Sequence, residues 1–233
     1  MKTYRANAGP FRERPYYQMN EVEKMCMDEL RLVELYPETP SPIRIDRFLE
    51  KRFKVTPTYD DLPVGVLGFT IFGEKGVHKI VIARALDAEG TQPAERRIRT
   101  TMAHEGGHGL LHAHLFAFND ALLFGEPDEN GKPKVLCRDE LKDTGRTRTA
   151  RYDGRWWEYQ ANMAMSALLM PRPLVQQVIA PFLQTDRFVP SLAKEARSEI
   201  VLKLAEVFDV NPVAARIRLN EIFPLAEVNQ LSL

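Results

Sequence analysis

Apolar residues in the first quarter of the chain recur at every third or fourth position. Over 19–35 this spacing predicts an amphipathic helix, with Cys26 on its apolar side as a small hydrophobic residue. A second helix is predicted over 43–53, because Ser41-Pro42 supplies a start signal. The residues that precede both helices, 1–17, are polar and contain two prolines, so we expect a flexible N-terminal arm.

The pattern then changes to one typical of β-strands. Residues 54–61 look extended, and 64–72 are rich in Val, Phe, Thr and Ile, which predicts a strand. A turn at 73–76 leads to a returning strand over 77–83. We therefore expect a short antiparallel sheet, with Ile80 to Ala83 at an edge that could bind an extended peptide.

Helical spacing resumes at 91–116 and again at 155–170. Between them, 119–153 has little periodicity and is predicted to be a long loop that contains one short helix at most. The pattern thus predicts an α+β fold, with a core over 18–171 and a mostly helical C-terminal part over 172–233.

Composition narrows the class of protein without identifying it. The 233 residues are 44% hydrophobic, which is enough for a sizeable core. Lys+Arg and Asp+Glu both number 32, so charge gives no reason to expect nucleic-acid binding, and no apolar run reaches membrane length. The only cysteines, Cys26 and Cys137, cannot form a disulfide framework, and the first residues do not resemble a signal peptide. We expect a cytoplasmic protein.

The residues best suited to chemistry lie in the helix predicted over 91–116. His104-Glu105-Gly106-Gly107-His108 is an H-E-x-x-H pattern, and residues at i and i+4 of a helix lie on one face, about 6 Å apart along the axis. His104 and His108 can therefore bind one metal ion, and Glu105 can take a proton from the water that such an ion activates. Three glycines interrupt this helix at about 1 kcal/mol each, a departure from propensity that is typical of functional segments.

Two further histidines follow in the same helix. His112 continues the row but lies about 12 Å along the axis from His104, so one ion cannot bind both. It either holds a metal ligand in place from behind or packs as an ordinary core residue. His114 has the spacing of a third zinc-binding histidine, but that pattern needs a glycine where Leu111 stands, so we do not assign it as a ligand.

A third metal ligand can come from the helix predicted over 155–170. Glu158 and Asn162 lie four residues apart beside its apolar face, so Glu158 is a candidate ligand and Asn162 a candidate for holding the local geometry. The alternative is an exposed glutamate near a helix N-terminus, where the helix dipole favours negative charge. The spacing alone does not decide between the two.

The tail contains two apolar stripes, over 200–208 and 213–217, separated by Asn211-Pro212. A helix, a short turn and a second helix is the arrangement of a helix-turn-helix motif. Most such pairs only pack, and this one has few basic residues, so we expect no direct contact with nucleic acid.

Three segments, in this order, resemble the ImmA/IrrE metallopeptidases: His104-Glu-Gly-Gly-His-Gly-Leu-Leu-His112, Glu158-Tyr-Gln-Ala-Asn162 and Ala167-Leu-Leu-Met-Pro171. The tail over 207–219 is similar to the C-terminal helix pair of that family, and the resemblance covers roughly 43–223. It implies a zincin-like core in which the short sheet packs on the H-E-x-x-H helix. It also implies zinc ligation by His104, His108 and Glu158, with Glu105 as general base.

The resemblance further implies a protein substrate, because members of the family cleave helix-turn-helix repressors. Two features depart from the family pattern. The loop over 119–153 is long, which leaves substrate access open, and Ala164-Met165-Ser166 stands where Phe-Ala-Ala is usual. The alternative to a zinc endopeptidase is a non-catalytic regulatory module whose zinc only holds the fold. Structural zinc sites usually have four protein ligands, however, and only three can be named here.

The surroundings of the site raise three further hypotheses. Tyr152 and Tyr159 are candidates for stabilising an oxyanion, because they are close to Glu158 in sequence. Cys137, within the loop, either reaches the metal and keeps the enzyme latent or is an ordinary thiol. Two histidines and a carboxylate would also accept manganese or iron.

Overall fold

A computed structural model of the protein describes residues 2–5, 13–73, 75–115, 134–139, 155–184 and 191–224. Helices and strands are mixed in an α+β fold, as the sequence predicted. The strands are β1 (Lys2–Arg5), β2 (Glu13–Tyr16), β3 (Thr58–Asp60), β4 (Val66–Gly73), β5 (Gly76–Ala83), β6 (Lys134–Asp139), β7 (Leu183–Gln184) and β8 (Ser191–Leu192). The helices are α1 (Met19–Leu32), α2 (Ile45–Phe53), α3 (Arg84–Ala88), α4 (Gln92–Leu111), α5 (Trp156–Leu169), α6 (Arg172–Ile179), α7 (Arg197–Val207) and α8 (Pro212–Ile222).

The first two helices follow the apolar pattern. In α1 the buried residues Val22, Cys26 and Leu30 are four positions apart, so they form one stripe. The helix begins where the Glu21 carboxylate accepts a hydrogen bond of 2.8 Å from the Gln18 backbone N–H. Helix α2 ends at Lys54, whose φ of 60° lies in the left-handed region and stops the helix.

The four-stranded sheet differs from the prediction at both of its ends. The order is β3-β5-β4-β6, and β3 runs parallel to β5, so the sheet is mixed rather than purely antiparallel. The prediction that Ile80 to Ala83 form an edge is wrong, because β5 lies between β3 and β4. The strand β6 arises within the segment predicted to hold a loop and one short helix. The other residues of 119–153 lie outside the described part of the chain.

Strand β4 positions α4 against the sheet. Its buried residues alternate, at Gly68, Thr70 and Phe72, and this face is turned towards α4. A Cβ atom at Gly68 would lie 2.6 Å from Thr101 Cγ2 and 2.9 Å from the Val81 carbonyl oxygen. Only glycine therefore allows the helix to approach the strand this closely.

The glycines of α4 likewise allow close packing, here between α4 and the helices α5 and α2. A Cβ atom at Gly107 would lie 2.9 Å from the Ala161 carbonyl oxygen, so Gly107 lets α5 pack directly on α4. Gly106 and Gly109 make room for α2 residues, Leu49 and Phe53, in the same way. The glycines, which are unusual inside a helix, thus have a packing role that brings α5 next to the histidines.

The C-terminal helices pack onto this core. Buried residues of α1, α2, α4, α5, α6, α7 and α8 belong to a single hydrophobic cluster. The pair α7 and α8 turns its apolar side inwards, but the predicted stripe of α8 is shifted, because Ile217 is exposed and Arg218 is buried. Arg218 Nη1 donates to Glu23 Oε1 at 3.0 Å and its Nε donates to the Met170 carbonyl at 3.0 Å, which compensates the buried charge.

The described part of the predicted N-terminal arm forms an antiparallel ribbon, β1 with β2. These strands carry no clear pattern in the sequence, because each has only four residues and β2 contains Pro15. Pro15 is buried, and its carbonyl contacts α5. In the part of the chain that the structure describes, no helix has both the length and the apolar character needed to cross a membrane.

Candidate metal centre

Three side chains from α4 and α5 converge on one point. His104 Nε2 lies 3.1 Å from Glu158 Oε2, and His108 Nε2 lies 3.4 Å from Glu158 Oε1. Each residue offers one ligand atom, and these atoms all lie within 4.8 Å of one another. The group could hold a metal ion, and it consists of the three residues that the sequence predicted as ligands.

Glu158 lies beside the histidines rather than in open solvent. Its side chain is 16% exposed. Burial raises the pKa of the Glu158 carboxyl, but the neighbouring imidazoles of His104 and His108 lower it by more, and the result lies well below the usual range. The carboxylate is therefore ionised and faces two imidazoles, unlike the exposed helix-start glutamate of the alternative interpretation.

The burial of the His108 ring nitrogen also fits a bound metal ion. His108 Nε2 is fully buried, and within the described residues it makes no hydrogen bond of acceptable geometry. A buried ring nitrogen left in this way costs free energy unless another partner compensates it. A divalent cation between two imidazoles and a carboxylate would be such a partner.

Glu105 contacts the sheet through one of its carboxylate oxygens. It is buried, and its Oε2 accepts a hydrogen bond of 2.7 Å from Thr70 Oγ1. Thr70 thus fixes the carboxylate predicted as general base. Sequence reasoning missed Thr70, because a threonine at an alternate position of a strand carries no signal that it faces a glutamate 35 residues later.

Each histidine ligand has a hydrogen-bond partner at its other ring nitrogen. His104 Nδ1 lies 3.0 Å from Asn162 Oδ1, the position expected of a residue that holds the local geometry. His108 Nδ1 lies 3.0 Å from His112 Nδ1, so His112 supports a ligand from behind. Burial, and then the neighbouring His108, lower the pKa of His112 well below its ordinary value, so His112 is neutral.

The remaining predictions near the site have mixed outcomes. Among the described residues, the group that could hold a metal ion does not include His114. Tyr159 is 59% exposed on α5, whereas Tyr152 lies outside the described residues. Cys137 lies in β6 opposite Phe69, and its proposed reach to the metal stays a prediction. Cys26 is buried and packs as a small hydrophobic residue. The same burial raises the pKa of its thiol to about 12.

Comparison with known proteins adds no identification. No protein-family model matches the chain, and no curated protein matches it. The resemblance to the ImmA/IrrE metallopeptidases thus stays a prediction, and the case for a function depends on the geometry of the site.

Proposed function

We propose that the protein is a zinc-dependent endopeptidase with a zincin-like core, similar to the ImmA/IrrE metallopeptidases. The observation that supports this most is the convergence of His104, His108 and Glu158 from two helices. A buried glutamate, Glu105, lies in the H-E-x-x-H segment beside them. A peptidase needs its metal ligands close together in space, and the ligand atoms of these three residues lie within 4.8 Å of one another.

The three ligands suit a catalytic metal better than a structural one. Two imidazoles and one carboxylate leave a coordination position open, whereas structural zinc sites usually have four protein ligands. Among the described residues, the group contains no fourth side chain. A zinc ion bound there would act as a Lewis acid, lowering the pKa of a water molecule and polarising a carbonyl group.

Glu105 supplies the proton transfers. Its carboxylate accepts a proton from the attacking water and returns it to the nitrogen of the leaving amine, so one group serves as base and then as acid. The hydrogen bond from Thr70 Oγ1 holds one carboxylate oxygen, and the side chain therefore has a fixed direction during both transfers.

The proposed substrate is a protein, specifically a helix-turn-helix repressor. The support for this is the likeness of three ordered segments, and of the tail over 207–219, to a family that cleaves such repressors. An extended substrate segment can pair with an exposed sheet edge. In the described part of the sheet, β6 is the strand beyond β4 and offers such an edge, in place of the β5 residues predicted first.

The proposal is tested by Glu105→Gln, which keeps the size of the side chain but cannot accept the proton. Wild type and variant are each co-expressed with helix-turn-helix repressors, beginning with any encoded beside this gene, and cleavage is followed on gels. We expect cleavage by the wild type, and a rate about a hundredfold to ten-thousandfold lower in the variant at unchanged zinc content.

The matched control is Glu95→Gln, because Glu95 lies in the exposed first turn of the same helix. It should cleave like the wild type. A repressor cut equally by wild type and Glu105→Gln would overturn the assigned base. A regulatory effect that survives Glu105→Gln without any cleavage would favour the non-catalytic zinc module instead.

A further inference from the structure

An unbroken series of hydrogen bonds connects the N-terminal ribbon to a metal ligand. The Pro15 carbonyl of β2 accepts from Gln160 Nε2 at 2.7 Å. Gln160 Oε1 lies 3.0 Å from His112 Nε2. His112 Nδ1 in turn lies 3.0 Å from His108 Nδ1.

The direction of every bond in this series follows from its first member. A carbonyl oxygen can only accept, so the atom of Gln160 that faces Pro15 is the amide nitrogen. The Gln160 oxygen then faces His112 and accepts from Nε2–H. Since a neutral imidazole carries one proton, His112 Nδ1 holds a lone pair and accepts from His108 Nδ1–H. His108 Nε2 is thereby left with its lone pair, on the side of Glu158.

Burial protects the donor and acceptor roles in this series of hydrogen bonds, because water cannot reach the groups and replace their partners. His108, His112, Gln160 and Pro15 are all buried. Inside a protein a hydrogen bond is electrostatically stronger than in water, and reversing one bond of the series would leave a buried donor facing a donor.

We propose that Gln160 and His112 are positioning residues that transmit the polarity of the Pro15 carbonyl to His108 and hold its Nε2 ready to bind a metal. Hydrogen bonding at Nδ1 also makes the imidazole a more basic ligand. The ribbon of β1 and β2 is then part of the metal centre, although no residue of it is a ligand. The inference rests on the metal site of the proposed function, and not on peptidase activity.

The two histidine ligands, His104 and His108, are held by different hydrogen-bond partners. His104 relies on Asn162, which belongs to α5 and has no described link to the ribbon. A change at Gln160 should therefore affect His108 and leave the hydrogen bond of His104 in place. This difference gives the test an internal reference.

The test uses two variants of Gln160 in the full-length chain. Gln160→Met has similar length but no polar atom, so it cannot accept from His112. Gln160→Glu keeps an acceptor towards His112. Met163→Leu, a buried apolar change on the same helix, is the control for packing. Two readouts are taken: the nitrogen NMR shifts of the imidazoles in metal-free protein, and the zinc dissociation constant by chelator competition.

In metal-free wild type we expect His112 to carry its proton on Nε2. In Gln160→Met that preference should be lost, and the zinc dissociation constant should rise about tenfold, as for other residues that hold metal-ligating histidines. Met163→Leu should bind zinc like the wild type. Gln160→Glu still accepts from His112 but no longer presents an amide N–H to the Pro15 carbonyl, so its zinc affinity should fall, and by less than that of Gln160→Met. Thermal unfolding of the metal-free proteins separates a loss of zinc affinity from a loss of folding.

Three results would overturn the inference. The first is a wild-type His112 that carries its proton on Nδ1. The second is equal zinc affinity in Gln160→Met and wild type, and the third is an equal loss of zinc affinity in both Gln160 variants. A protein that binds zinc as expected but cleaves no substrate would leave the inference intact and count only against the peptidase.

Discussion

At the scale of single residues, the site depends on side chains that hold others in place. Thr70 Oγ1 donates to Glu105, and the amide oxygen of Gln160 lies 3.0 Å from His112 Nε2. Neither Thr70 nor Gln160 belongs to the group that could hold a metal ion, yet each fixes the direction of a side chain beside that group.

Thr70→Val tests the support of Glu105, the proposed general base. The change keeps the shape of the side chain and removes the hydroxyl that donates to Glu105 at 2.7 Å. A buried hydrogen bond to a carboxylate contributes about 1.5–3 kcal/mol, so we expect the free energy of unfolding to fall by that amount in denaturant titrations. Zinc content should not change, and substrate cleavage should slow.

Thr101→Val is the matched control for that prediction. Thr101 is also buried, but its hydroxyl makes no hydrogen bond within the described residues. Removing that hydroxyl should leave stability unchanged or improve it. Equal losses in the two variants would mean that Thr70 acts through packing and not through Glu105.

The residues of the site differ in how far the sequence predicts them. His104, His108 and Glu105 could be predicted because their chemistry is encoded in five consecutive positions of one helix. Glu158 could be predicted as a candidate only, since spacing alone could not exclude an exposed glutamate. Thr70 and Gln160 could not be predicted, because their partners are distant in the chain and neither residue type marks a site.

At the scale of secondary-structure elements, the long helices were predictable and the short strands were not. The helices α1, α2, α4 and α5 repeat an apolar period over enough residues to be read from sequence. The strands β1, β2, β3 and β6 have three to six residues each, too few for a clear alternation. Their pairing depends on distant partners, which also explains why β5 was wrongly placed at an edge.

Gly107→Ala tests the contact between α4 and α5. Alanine has the higher helix propensity by about 1 kcal/mol, so an isolated helix would gain stability. In the folded protein the added Cβ would lie 2.9 Å from the Ala161 carbonyl oxygen and 3.0 Å from Ala164 Cβ. Overpacking of this kind costs about 1–3 kcal/mol, so we expect a net decrease in the free energy of unfolding together with weaker zinc binding.

Gly73→Ala provides the comparison, because the nearest atom to its added Cβ lies at an ordinary contact distance of 3.6 Å. It should change zinc affinity little. A Gly107→Ala variant as stable as the wild type, with undiminished zinc affinity, would show that the helix contact is more adaptable than its geometry indicates.

At the scale of the whole molecule, the C-terminal helices stabilise the framework that carries the site. Arg96 and Arg99 of α4 bind Asp209, in the turn between α7 and α8, at 2.9 and 2.5 Å. On the other side, Glu23 of α1 binds both Arg172 and Arg218. The motif helix is thus anchored at one end by the same helices whose arrangement resembles a helix-turn-helix motif.

Glu23→Gln tests this connection. It removes one of the two carboxylates that lie beside Arg218, a side chain with no solvent exposure, and leaves Glu221 at 3.3 Å from Arg218 Nη1. Breaking one partner of a buried ion pair costs about 3–5 kcal/mol, and because Glu221 remains we expect a loss of at most that size, in a single cooperative unfolding transition. The control is Asp28→Asn, which breaks the exposed Lys24–Asp28 pair of the same helix and should cost at most about 1 kcal/mol. Two separate transitions in Glu23→Gln would mean that the C-terminal helices unfold independently.

The central claim is that two helices build one metal site from His104, His108 and Glu158, and X-ray absorption spectroscopy of the purified protein tests it most directly. We predict about one zinc per chain, bound by two imidazoles and oxygen ligands at about 2.0–2.2 Å, with the metal lost from Glu158→Ala. A protein that binds no metal would contradict the claim. So would zinc retained unchanged in Glu158→Ala, or a sulfur ligand at about 2.3 Å in place of an imidazole.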